Sequence, residues 1–295
     1  MSEIFYILIA AMIGTIMGSF VGAQVWRFRV RHLADDKKRG EDYDKNELKR
    51  LAPLLDKKLN RDRSQCLDCG MRLRWFDMIP VVSWIALRGK CRKCKKSIGS
   101  TEFLLELTMG ALFGLSVAFW PASLDQPLEM AKLIIWLFAL VPLAINFVYD
   151  LKWMSLISYC NWAVIGLGLI YATLVVVQAG GDWVVTLLSV GASVLVLGGL
   201  YGLLWVISRG KWVGDGDIYL GAGLGLLLAD WRVAIVGLFL ANLIGTLIVL
   251  PGMIGGKLSR QSQVPFGPLL IAGCIIAWFI GQPIVNWYQS MLMIV

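Results

Sequence analysis

The sequence predicts an all-α polytopic membrane protein of about eight transmembrane helices with one small domain outside the bilayer, and three observations predict it. Of 295 residues, 58% are hydrophobic and only 16% charged, with a mean hydropathy of +0.69. That leaves too little polar surface for a water-soluble globule of this length. Eight apolar runs, at 4–26, 103–120, 131–149, 156–177, 183–207, 218–228, 233–254 and 264–288, are separated by polar breaks. Most approach the roughly 20 residues needed to cross a hydrocarbon core, although the sixth is short and glycine-rich. Finally, threading eight spans from an outside N-terminus puts Lys152, Arg209, Lys211, Lys257 and Arg260 of the short loops inside, and only Lys132 and Arg232 outside. Asp125, Glu129, Asp182 and Asp230 fall outside. This asymmetry follows the positive-inside rule.

The first run has Glu3 before it and Arg27, Arg29 and Arg31 after it, the reverse of a secretory signal peptide, so residues 1–29 are expected to stay as a first membrane helix. Segment 30–100 is the one extramembrane stretch long enough to fold by itself. It carries most of the basic residues behind the net charge of +8, but many acids as well, the pattern of a solvated cytoplasmic loop, and no nucleic-acid partner is expected. Within 31–63 the charges alternate, and Leu48, Leu51, Leu54, Leu55 and Leu59 fall near helical spacing. They predict a surface helix near the headgroups or capping the small domain.

Cys66-x-x-Cys69 and Cys91-x-x-Cys94, 21 residues apart, have the two-knuckle spacing that places four thiolates around zinc. Arg92, Lys93, Lys95 and Lys96 favour thiolates. Two disulfides are the competing reading, opposed by the reducing side to which charge assigns the loop. Four protein ligands leave no open position, so the metal would be structural. Cys160 and Cys274 read as small core residues. Glu102 and Glu106 share one helix face and suit capping or pairing with the basic loop. His32 is the only histidine, which argues against a histidine-dependent triad or a multi-histidine metal centre.

Carboxylates near apolar runs are costly and ask for a reason. Asp150 ends the third run on its cytoplasmic side, and Gly214-Asp215-Gly216-Asp217 opens the sixth at the same depth. Two carboxylates on separate helices can share a proton, one activating water while its protonated partner polarises a carbonyl. Gly214 and Gly216 allow close backbone approach to a substrate or a helix. Hydrated helix caps would use the same residues, and a proton or metal relay would use acids too, though spread through the bilayer.

Taken in chain order, the residues resemble the type IV prepilin peptidase family, which are GxGD-type membrane aspartyl proteases. The resemblance runs through Gly18-Ser19-Phe20 with Arg27, then the two CxxC pairs flanking Ile79-Pro80-Val81-Val82-Ser83-Trp84 and Leu87-Arg88-Gly89-Lys90-Cys91. It continues through Leu105-Glu106-Leu107, Asp150, the GxGD motif ending at Asp217, and Val264-Pro265-Phe266-Gly267-Pro268. It implies Asp150 and Asp217 as catalytic aspartates and Cys66, Cys69, Cys91 and Cys94 as zinc ligands. The implied activity is removal of short basic leader peptides from type IV prepilins or type II secretion pseudopilins at the cytoplasmic face of the bacterial inner membrane. The family also implies possible N-methylation of the new N-terminus with S-adenosylmethionine. The chain then divides into a first helix (1–29), a cytoplasmic zinc domain (30–100) and a helical protease core (101–295), with membrane lipid and the precursor proteins as partners. Three positions depart from the family pattern. Asp150 is followed by LKWMSLISY rather than an Ile/Leu-Pro-Asp segment, Tyr219 stands where a lysine is common, and Gly22 or Gln24 replaces a first-helix asparagine. A degenerate family member that docks pilins without cutting them would show the same motifs.

Overall fold

A computed structural model describes residues 3–55, 64–256 and 264–292, and the chain forms two compact units, Met1–Ala118 and Phe119–Val295. Regular structure among the described residues is helical, with two isolated β-bridges.

In the first unit, α1 (Glu3–Arg39) packs along α4 (Thr101–Ala118). Gly14, Gly18 and Gly22 repeat at every fourth residue of α1, and Gly110 and Gly114 do the same on α4. A Cβ on Gly14 would lie 2.4 Å from the Met109 carbonyl, and one on Gly18 2.6 Å from the Glu106 Cα, so the two backbones touch. Small residues at this spacing let membrane helices gain dispersion contact where lipid offers no hydrophobic drive. Among the described residues, the charged stretch that predicts a separate surface helix first continues α1 out to Arg39, and the short α2 (Lys45–Leu51), followed by a 3-10 turn at Ala52–Leu54, is set apart from it. Asp44 caps α2 by accepting from the Asn46 and Glu47 N–H groups. Leu51 is buried with Val30 and Leu33, with Leu48 and Leu54 against them, and Arg29 pairs with Glu47 at 2.7 Å. Leu59 lies outside the described residues. A further short helix, α3 (Val82–Ala86), belongs to the loop that carries the cysteines.

The second unit holds α5 (Pro127–Trp153), α6 (Ser158–Gln178), α7 (Trp183–Val194), a π-helical turn (Leu195–Gly199), α8 (Leu200–Ser208), α9 (Asp215–Leu228), α10 (Trp231–Ile254) and α11 (Gly267–Leu292). With α7 and α8 joined through the π-turn, seven helices in the described residues are long and apolar enough to cross a membrane, which makes this a multi-pass membrane protein. The expected sixth span is α9, which is not among these seven. Its 14 residues reach about 21 Å, short of a hydrocarbon core of ~30 Å. It runs back along α8 and α7, from Ile218 beside Gly202 to Ala229, whose carbonyl accepts from Ser189. Tight packing makes that course possible. A Cβ on Gly221 would meet the Leu197 carbonyl at 2.4 Å, one on Gly225 the Ser193 carbonyl at 2.8 Å, and one on Gly223 the Val164 side chain at 2.7 Å. Ser193 Oγ also donates to the Gly225 carbonyl at 2.8 Å. The π-turn sits where Gly198 and Ala222 are pressed together.

Glu129 and Lys132, read from the sequence as loop charges, lie inside the first turns of α5, Glu129 buried and Lys132 half-buried. Glu129 accepts from Trp120 Nε1, Lys132 Nζ and Gln178 Nε2, all within 2.9 Å, which ties the start of α5 to the end of α6. A buried carboxylate with three donors is a satisfied anchor.

Candidate active site and metal centre

The cysteine knuckles repeat one local pattern twice. Cys66 N–H donates to the Met71 carbonyl while Gly70 N–H returns to the Cys66 carbonyl, and Cys91 N–H to Lys96 with Lys95 N–H to Cys91 repeats the arrangement. The residue after each second cysteine is left-handed, Gly70 at φ 66° and Lys95 at φ 59°. That reversal turns both thiols of a CxxC pair to the same side. The four sulfurs lie within 4.8 Å of one another, with Cys66 to Cys94 and Cys69 to Cys91 each at 3.9 Å. A disulfide needs about 2.05 Å. Tetrahedral coordination with metal–sulfur bonds of ~2.3 Å needs sulfurs roughly 3.8 Å apart, so the donor set fits a metal ion. Burial pushes the Cys66 thiol up to about 12. Burial opposes ionisation of Cys91 too, but the backbone N–H groups of Cys94 and Lys93 and neighbouring thiols bring it down to about 7. Arg92 reaches Asp77 and lies over the Phe76 ring, bracing the intervening loop.

That loop is fixed to α4 by a glutamate. Val81 has φ 63° with Val82 N–H bonded back to the Pro80 carbonyl at 2.6 Å, a γ-turn that is strained for a β-branched residue. Its own N–H donates to Glu106 Oε2 at 2.6 Å, and Trp84 stacks on Phe103 at 4.6 Å. Glu106 therefore holds the Ile79–Trp84 motif through its backbone, whereas the sequence suggested a cap or a partner for basic residues.

In the second unit, Asp150 occupies the last turn of α5, 5% exposed. Its Oδ2 accepts the Gly267 N–H at 3.1 Å, at the first residue of α11. A Cβ at position 267 would stand 2.8 Å from that oxygen, so the close approach requires glycine. Asp217 lies in the first turn of α9 and folds back to the Gly214 backbone N–H. Each carboxylate thus sits at a helix N-terminus, Asp150 at that of α11 and Asp217 at that of its own helix, where the macrodipole favours negative charge. The two are within Coulombic reach of each other. Asp215 is exposed, and its Oδ1 accepts from the adjacent Gly216 N–H. Leu156 wedges between the glycines, 3.1 Å from a Cβ built on Gly216 and 3.0 Å from one on Gly267. Tyr201 from α8 packs on Phe266 with ring centres 5.1 Å apart and planes tilted by 52° beside this end of α9, and Tyr219 packs on Trp162.

Sequence reading missed two buried amides. Asn146, one turn before Asp150, accepts the Ile157 N–H at 2.9 Å and donates to Asn161 Oδ1 at 2.7 Å. Asn161 Nδ2 donates to the Gly216 carbonyl at 3.1 Å. The available signal was an amide inside each of two otherwise apolar runs.

Residues 12–120 match the family model described as Bacterial Peptidase A24 N-terminal domain. The chain is 32% identical over 229 residues to a prepilin leader peptidase/N-methyltransferase of Aeromonas hydrophila, covering 77% of this chain and 75% of the relative. Proteins of the same name from Stutzerimonas stutzeri and Bacillus subtilis (strain 168) are 26% and 28% identical; the former match covers 96% of this chain and 93% of the relative, the latter 78% and 86%. No solved structure matches. With the cysteine pairs, the glutamate-held loop and the helix-end aspartates all lying within these collinear matches, the chain belongs to the prepilin leader peptidase/N-methyltransferase family of enzymes.

Proposed function

We propose that the chain is an aspartyl endopeptidase that removes short basic leaders from type IV prepilins or type II secretion pseudopilins, with Asp150 and Asp217 as its catalytic pair. The observation carrying this reading is that Asp150 accepts from the first N–H of α11 while Asp217 lies in the first turn of α9, with Leu156 packed between the neighbouring Gly267 and Gly216. One ionised carboxylate takes a proton from water as its oxygen attacks the scissile carbonyl carbon, and the protonated partner donates to the carbonyl oxygen. Collapse of the tetrahedral adduct breaks the C–N bond, the leaving amine taking the proton that the first carboxylate removed from water while an adduct hydroxyl returns its proton to the partner carboxylate. Gly214 lets the backbone beside Asp217 approach a substrate strand, while Gly216 admits Leu156. The charge asymmetry of the short loops supports a cytoplasmic active site with the N-terminus outside; two of its residues, Lys257 and Arg260, lie outside the described residues.

Zinc is the metal best suited to four thiolates in two knuckles, with Cys66, Cys69, Cys91 and Cys94 holding it as a structural ion. The names of the relatives support methylation of the new N-terminus with S-adenosylmethionine as a second activity. The test is leader removal from a prepilin by the inserted protein, read as a gel shift, for Asp150→Asn and Asp217→Asn. Both variants should be inactive; normal processing by both would falsify the reading.

A further inference from the structure

We propose that Asn146 and Asn161 are positioning residues for the reaction, forming a buried amide relay that sets the Asp217 backbone relative to the Asp150 helix end. The inference rests on the assignment of Asp150 and Asp217 as the reacting carboxylates. Asn146 is 0% and Asn161 2% exposed, in helices that otherwise present apolar side chains at this level. A buried amide is costly unless both its ends are paired, and here both ends of both are.

The three bonds run in one direction through the site. Asn146 stands one turn before Asp150 on α5 and accepts the Ile157 N–H, which fixes the turn between α5 and α6. It donates to Asn161 on α6, which donates to the carbonyl of Gly216, the residue directly before Asp217. α9 begins at Asp215, so Gly216 lies in a first turn that intrahelical bonds hold least firmly. The relay supplies a lateral hold there, and Leu156 on the same turn limits how closely Gly216 can approach. Neither asparagine needs to touch substrate. Each acts through the place it gives Asp217, and a misplacement of about 1 Å in such a pair can cost ~100-fold in rate.

A purely structural role predicts a different outcome, and α9 contains its own control. Ser193 is equally buried and donates to the Gly225 carbonyl at 2.8 Å, the same kind of bond roughly 14 Å further along the helix. The experiment measures kcat and KM for prepilin cleavage, and thermal midpoints, with the full chain in proteoliposomes. Asn161→Leu and Asn146→Leu are expected to lower kcat about 100-fold, with KM within about twofold of the parent. Their double variant should lose little more than either single one, because both break one relay. Ser193→Ala is expected to lower the thermal midpoint while leaving kcat within about twofold.

Where Asn161→Leu does not fold, Asn161→Ala removes the same amide without added volume and is read identically. The proposal is overturned if folded Asn161 variants keep the parent kcat, or if Ser193→Ala lowers kcat as much as they do. Asp150→Asn and Asp217→Asn in the same assay separate the two levels. Were they active, the carboxylate assignment would fall; were they inactive with Asn161 variants at full kcat, only the positioning role would.

Discussion

The cysteine knuckles and the surroundings of α9 are both precise, and they reach precision by opposite means. In the knuckles, each thiol is aimed by hydrogen bonds spanning no more than five residues and by one left-handed residue, Gly70 or Lys95. Little apolar burial supports them: Cys91 is buried, while Trp75 and Ile98 stay exposed. Around α9, Asp217 is placed by contacts with α6, 55 residues away at the Asn161–Gly216 bond, and with the π-turn and α8, through glycines that admit backbone to backbone. A metal can substitute for a core where local turns already converge. Where reacting groups come from separate helices, close packing must do the converging.

The largest expected effect separates chemistry from scaffold. Asp150→Asn or Asp217→Asn should lower cleavage by at least about 1,000-fold, within the range for loss of a general acid or base, with the thermal midpoint little changed. Next is removal of the metal, by chelation or by Cys66→Ser with Cys91→Ser. Hydrogen exchange should show protection lost at the Gly70 and Lys95 amides and retained along α5, α6 and α9. Loss along α9 as well would end the contrast drawn between the two regions. Acid should act in the same direction. Metal binding displaces protons from thiols, above all from Cys66, held near 12 without metal, so occupancy should fall as pH falls and be restored as it rises. Metal content after equilibration at each pH checks this.

Gly267→Ala should follow, because its Cβ would press on Asp150 Oδ2. A fall of about 10- to 100-fold in kcat is expected, with the chain still inserted. The smallest effect concerns packing alone. Gly221→Ala forces α9 off the Leu197 carbonyl and should destabilise the protein by about 1–3 kcal/mol, measured by thermal unfolding in detergent. An unchanged midpoint would mean that α9 adapts more freely than its glycines imply.

Sequence by itself determined whatever depends on composition and short-range spacing. Apolar runs required membrane helices, because a hydrocarbon core satisfies no exposed backbone polar group. CxxC spacing gave the knuckles, because the turns that aim the thiols are complete within six residues of chain. Asp150 and Asp217 were legible as candidates, because an acid beside an apolar run is costly wherever it falls. Tertiary structure alone decided the rest. It extended α1 past the expected end of the span, since the charged turns find Leu51 and Glu47 to pack against. It also left α9 shorter than a hydrocarbon span and buried Glu129 among donors from α6 and the segment before α5. Asn146, Asn161 and the Gly267 N–H join the candidate site through partners 11 to 117 residues away. Hydrophobic periodicity reports which face of a helix is apolar; it carries no information on which distant backbone group a buried amide or carboxylate will meet.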